Sequence, residues 1–230
     1  MFYLGIFSGD GKDDYGDKTC YMGNKVPWDD VGAKMCFNAG KLWALGWYSK
    51  YQGTYKPEKY GVSARLIGIA EAQTKERFID NEKVVIRLIP SNIKIKPLLL
   101  KYNHKKGPNE GVIGDWNKVV ITQQRKKNWN SYRMEALDPG GVYYRKNWDS
   151  NRNKLVVKHC GFTQGSWGNS PRLASANIIV YVQGKTSKNC SVFDNALASN
   201  ATKTSNGYAP STSSKVSSNR GIVHHRDSLH

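Results

Sequence analysis

Apolar residues fall into two rhythms along the chain, and the change comes near residue 60. Beyond it they gather in short runs at 62–70, 84–89, 93–102, 119–123, 155–159 and 178–182. Val119-Val120-Ile121-Thr122 and Ile178-Ile179-Val180-Tyr181-Val182 are the plainest of these, because β-branched side chains suit a pleated, half-buried surface. Between the runs stand Lys106-Gly107-Pro108-Asn109 and Asp138-Pro139-Gly140-Gly141, in which Pro presets φ and Gly supplies turn backbone. Short strands separated by turns predict an antiparallel β-sandwich over 61–192.

Before residue 60 the chain is dense in Gly, Asp and aromatics and reads as loops around one helix. In Asn38-Ala39-Gly40-Lys41-Leu42-Trp43-Ala44-Leu45-Gly46, Asn38 can cap the first turn and Gly46 can end the last. Ala39, Leu42 and Trp43 share a face, which predicts an amphipathic helix of about two turns. The stretch 193–230 is rich in Ser, Thr, Asn and Ala and has little to bury, so it is expected to be a disordered tail.

Composition narrows the class. At 39% hydrophobic and 11% aromatic the chain is too rich in large apolar side chains to be disordered throughout. With 35 Lys and Arg against 18 Asp and Glu, the formal charge is +17, which attracts nucleic acid, anionic membrane or acidic polysaccharide alike. The bland alternative is a solvated basic surface. No apolar run is long enough to span a membrane. The first residues, Met1-Phe2-Tyr3-Leu4-Gly5-Ile6-Phe7, lack the basic flank of a signal peptide.

The four cysteines, Cys20, Cys36, Cys160 and Cys190, permit three disulfide pairings; local pairing of Cys20 with Cys36 and Cys160 with Cys190 is the expectation. Their spacing is wrong for zinc knuckles. Nucleotide-binding glycine loops and a serine nucleophile elbow are both missing. A basic and aromatic stretch, Arg125, Lys126, Lys127 and Trp129 with Arg145, Lys146 and Trp148, could stack rings on sugars while cations hold an anion. The alternative is two hairpin ends with solvated charges and half-buried tryptophans. Nucleic acid is disfavoured, since none of its recognition signatures accompanies the charge.

Tyr15-Gly16-Asp17-Lys18-Thr19-Cys20-Tyr21-Met22-Gly23-Asn24, then Asp29-Asp30-Val31-Gly32-Ala33-Lys34-Met35-Cys36-Phe37-Asn38-Ala39-Gly40-Lys41 and Gly46-Trp47-Tyr48, resemble the gametolysin family of secreted zinc metallopeptidases. The segment from Leu99-Leu100-Lys101-Tyr102 to Val119-Val120-Ile121-Thr122 resembles the β-rich region that follows the peptidase domain in that family. The resemblance implies that Cys20, Tyr21, Met22 and Gly23 are the Met-turn, whose methionine floors the zinc site of a metzincin-like α/β domain. Residues 1–60 would then be the C-terminal part of that domain.

Activity in this family needs H-E-x-x-H-x-x-G-x-x-H, with three histidines on zinc and a glutamate activating water. This sequence contains no such motif, and Phe7 stands near the place of the third histidine. The expectation is therefore a truncated or catalytically inactive homologue, holding no cofactor itself where the complete family holds Zn2+. Family resemblance implies an extracellular or cell-wall setting, with a matrix or cell-wall protein or an acidic polysaccharide as partner. The other reading is a non-enzymatic basic β-sandwich module that binds anionic matrix polysaccharide or glycoprotein.

Overall fold

The structure is a computed structural model that describes residues 8–9, 15–23, 34–74, 82–125, 130–167 and 170–193. Of the predicted tail only Phe193 lies among these, and Phe7, Lys126, Lys127 and Trp129 lie outside them. In chain order the elements are β1 (Ser8–Gly9), α1 (Ala39–Leu45), β2 (Gln52–Tyr55), β3 (Val62–Ile67) and α2 (Ile69–Thr74). Next come β4 (Glu82–Lys83), β5 (Val85–Leu88), β6 (Leu98–Tyr102), β7 (Val119–Arg125) and β8 (Asn130–Leu137). The last three strands are β9 (Val142–Arg145), β10 (Leu155–Trp167) and β11 (Ser170–Val182). The protein is mostly β, with short helices. Among the described residues no helix is long and apolar enough to cross a membrane.

Two sheets form. One has six strands in the order β1-β8-β7-β6-β5-β2, and the other has five in the order β4-β3-β11-β10-β9. The central pairs of both are antiparallel, whereas β1 with β8, β2 with β5 and β3 with β4 are parallel. Leu98, Leu100 and Tyr102 of the first sheet share one buried cluster with Ala64, Leu66, Ile178 and Val180 of the second. Leu99, which points the opposite way, joins Ala39 and Leu42 of α1 and Ile69 and Ala72 of α2 in another. Strand β6 is thus buried on both faces, which is why Leu98-Leu99-Leu100 runs apolar without alternating.

The helix foreseen from Asn38 and Gly46 forms as α1. Asn38 Oδ1 accepts from Lys41 N at 3.0 Å, and Gly46 closes the helix in the left-handed conformation at φ 68°. Burial of Leu42, 1% exposed, contributes about 2 kcal/mol. Gly40 lets the helix approach β8, for a Cβ there would lie 2.7 Å from Ser131 Cβ.

Several predicted strands change extent. The run 62–70 is a strand only to Ile67; Ile69-Ala70-Glu71-Ala72, rich in helix formers, begins α2 instead. Within 93–102, pairing starts at Leu98, because Asn92 Oδ1 accepts from Lys94 N at 3.0 Å and Ile95 N donates to Asn92 O at 3.0 Å, making a turn. The change of texture near residue 60 is not a seam between packed bodies. Strands β1 and β2 precede it yet sit in the six-stranded sheet, and the described residues belong to one compact unit.

Candidate functional site

Residues 17–23 make two successive turns. Cys20 N donates to Asp17 O at 3.2 Å, and Gly23 N donates to Cys20 O at 2.9 Å, which places half-buried Met22 third in a tight four-residue turn. Tyr21 N donates to Cys36 O at 3.1 Å, and the Tyr21 ring meets Phe37 edge-on at 6.4 Å. Asp17 is fully buried: Oδ1 accepts from Thr19 N at 3.0 Å and Thr19 Oγ1 at 2.5 Å, and Oδ2 accepts from Asn38 Nδ2 at 2.8 Å. Asn38 Nδ2 also donates to Ser131 Oγ at 2.8 Å, and that hydroxyl donates to Asn38 Oδ1 at 3.1 Å. One buried polar network therefore joins the turn, the cap of α1 and β8. Its cost of desolvation is met only because each member has partners.

Two buried lysines lie beside it. Lys101, on the α1 side of β6, is 1% exposed and donates from Nζ to Phe37 O at 3.0 Å. Burial pushes its pKa down, against the opposing fields of Cys36, Cys20 and Asp17. Burial also lowers Lys41, against the field of Cys20, and raises the Cys36 thiol despite Lys101. A thiol so raised is a poor nucleophile at neutral pH, which argues against cysteine catalysis here.

Cysteine pairing divides. Cys160 and Cys190 are joined by a disulfide with Cα atoms 5.4 Å apart. Cys20 and Cys36 are instead both thiols, correcting the expected second bridge. The cause is local: Cys36 Sγ is directed to Pro108 O at 3.5 Å, while its N–H donates to Asn109 Oδ1 at 3.0 Å.

His104 Nδ1 lies 2.9 Å from Glu71 Oε2, and Lys106 Nζ lies 3.0 Å from Glu71 Oε1. Burial pushes the Glu71 carboxyl up, but the His104 hydrogen bond and charge and the Lys106 hydrogen bond outweigh it, leaving a lowered pKa. His159 is fully buried, with Nδ1 3.0 Å from Leu137 O. Among the described residues, no three His, Cys, Asp or Glu side chains come together as a metal-binding group. These residues do not fit the three-histidine zinc site of the resembled family.

The basic and aromatic patch is not a single surface among the described residues. Arg125 ends β7 in one sheet, whereas Arg145 ends β9 in the other and Lys146 is exposed just beyond it. Trp148 belongs to the core cluster and is 0% exposed. Its backbone N–H donates to Asn153 O at 2.8 Å and its backbone carbonyl accepts from Asn92 N at 3.4 Å. A ring so enclosed cannot stack on a ligand, which corrects its assignment to the patch. Lys126, Lys127 and Trp129 lie outside the described residues.

A pocket that the sequence did not point to opens elsewhere. It has a volume of about 550 Å3, with Asp115, Trp116, Asn117 and Lys118 on one side, Asp138 and Pro139 on another, and Phe162. Asp115 and Asn117 adopt left-handed backbone, φ 50° and 57°, a conformation Asp and Asn tolerate better than most side chains. Buried Asn103 holds that turn: its Nδ2 donates to Gly114 O at 3.0 Å and Asp115 O at 3.1 Å, and its carbonyl accepts from Asn117 N at 2.8 Å. Phe162 follows a bulge in β10 between His159 and Gly161, where Gly161 has φ 112° and Cys160 carries the disulfide. Bulges re-aim the side chains after them. Gly114-Asp115-Trp116-Asn117 is itself a turn signal around an aromatic residue, and could have marked this site.

Compared with protein-family profiles, curated proteins and solved structures, the chain matches none.

Proposed function

We propose that the chain is a gametolysin-type metallopeptidase homologue in which residues 15–48 are the Met-turn and following helix, packed on a β-sandwich to which residues 61–192 give most of the strands. The observation that supports this best is the hydrogen bond from Gly23 N to Cys20 O at 2.9 Å, which gives Met22 the tight turn that the resemblance requires. The tie from Asp17 through Asn38 to α1 supports it further, since it makes turn and helix one rigid piece. In a complete enzyme of this type zinc polarises the scissile carbonyl and activates water. This chain's own residues supply the turn and its buried support, with no zinc donor set among the described residues, and the homologue has no peptidase activity of its own. Its setting is the extracellular matrix or cell wall, with a matrix protein or acidic polysaccharide as partner.

Elemental analysis of the purified chain, with gelatin and casein digestion in the presence and absence of a chelator, tests this reading. Neither stoichiometric zinc nor chelator-sensitive cleavage is expected. Cleavage that a chelator abolishes would overturn the inactive assignment.

A further inference from the structure

The pocket beside Trp116 has the makings of a ligand site that the peptidase reading does not use. Its walls belong to two stiff loops: the left-handed turn locked by Asn103, and the 138–141 corner, where Gly141 N donates to Asp138 O at 2.8 Å. Left-handed non-glycine backbone is costly, and it persists where surrounding structure enforces it, often at binding sites. Trp116 is 54% exposed on this rim, an unusual place for so large an apolar ring. Lys105 Nζ stands over the ring, 5.8 Å from its centre, and steadies it. Phe162 adds a second ring, braced edge-on by His159 at 4.9 Å and by the tilted ring of Tyr102 at 5.6 Å.

Both carboxylates of the pocket are paired with cations. Lys118 Nζ lies 3.0 Å from Asp138 Oδ2 and 3.9 Å from Asp115 Oδ1, and Arg133 Nη1 pairs with Asp115 Oδ2. Lys105, the further cation at this rim, stands over the Trp116 ring, so an incoming sulfate or phosphate would meet one ammonium beside two carboxylates. The ammonium already between the two carboxylates also takes the place a metal ion would need. What remains is a set of oriented hydrogen-bonding groups. Asp138, 68% exposed at its side chain, offers carboxylate lone pairs beyond the one facing Lys118. Asn117 uses its Oδ1 on Lys105 N at 3.2 Å, and its Nδ2 supplies donors.

Aromatic faces beside neutralised carboxylates and an amide match a ligand that has apolar C–H faces and hydroxyls able both to donate and to accept. From this we infer that the pocket binds a neutral sugar residue of a glycan, stacked on Trp116 and hydrogen-bonded by Asp138 and Asn117. The inference is independent of the metallopeptidase reading, and either can fail alone.

The test titrates the full chain with galactobiose, cellotriose, mannotriose and xylotriose, followed by tryptophan fluorescence and saturation-transfer NMR, with heparin as the anionic comparison. At least one neutral oligosaccharide is expected to bind, with an affinity that stays within about twofold from roughly 50 to 500 mM salt, since no charge pairing is involved. Trp116→Ala should weaken it by about tenfold or more, as removal of a central aromatic contact does. Asp138→Ala, a change at an exposed side chain, should weaken it in the same direction with the fold intact. Binding of none of the four sugars, equal binding by the Trp116→Ala variant, or binding of heparin alone would each overturn the inference.

Discussion

At Asn38 the amide oxygen closes the first turn of α1, while the amide nitrogen reaches Asp17 and Ser131. Asn38→Ala removes a helix cap, costing about 1 kcal/mol, and takes a donor from a buried carboxylate, costing about 1–3 kcal/mol more. Urea unfolding should therefore show a loss of about 2–4 kcal/mol. Asn38→Asp should not restore it, because the cap would return together with a second negative charge against Asp17. His159 acts through protons instead. Burial pushes its pKa below the ordinary 6.5, against hydrogen bonds with Leu137, Gly161 and Asp138 that raise it. Above that value neither the folded nor the unfolded imidazole is charged. Below it the unfolded chain gains a proton first, so stability falls as pH drops until the folded pKa is passed. Unfolding midpoints at about pH 7.5 and about pH 5.5 should differ less in His159→Gln than in the parent chain, because an amide has nothing to titrate. An unchanged difference would assign the slope elsewhere. Glu71 and Asp149, whose carboxyls are held low, contribute stability that is lost at more acid pH, as pH falls through their lowered values.

Among the elements, β10 carries the most unusual device: a bulge with a positive-φ glycine beside a disulfide that closes a separation of 30 residues. Opening that bridge restores freedom to the unfolded chain and should cost roughly 3–4 kcal/mol, measured as the drop in unfolding free energy of a Cys160→Ala, Cys190→Ala double variant. Chemical reduction should have a similar effect, while Cys20 and Cys36, already thiols, give none. Helix α1 was legible because its signals are local: Asn38 and Gly46 bracket one apolar face. Strand β6 was legible as a leucine run, but its first residue was not, since an Asn92 turn decides where pairing begins. Strand β8, Asn-Ser-Tyr-Arg-Met-Glu-Ala-Leu, carries no apolar run; its place depends on pairing with β7 across a bulge. Trp148 misled for a related reason. Arg145 and Lys146 shortly before it are basic, yet its backbone bonds to Asn92 and Asn153 hold it in the core beside buried Asp149. The pocket at Trp116 was hidden because three distant segments build it.

For the whole molecule, the expectation of a mostly β chain agrees with the two sheets, but the division at residue 60 does not describe how they pack. The segment before it supplies two edge strands and lays α1 on the six-stranded sheet. The charge of +17 belongs to the whole sequence and is not concentrated at the pocket, where Lys118 and Arg133 are paired with Asp115 and Asp138. Kinship with gametolysin-type peptidases is the claim on which the functional reading rests. Crystal structures of this chain and of an active gametolysin-type peptidase, superposed over residues 15–48, measure it most directly. The expected result is a shared turn with the Gly23 N to Cys20 O hydrogen bond and a helix in the same orientation, tied back through Asp17 and Asn38. A turn of different hydrogen bonding, or a helix that packs on another face in the peptidase, would contradict it.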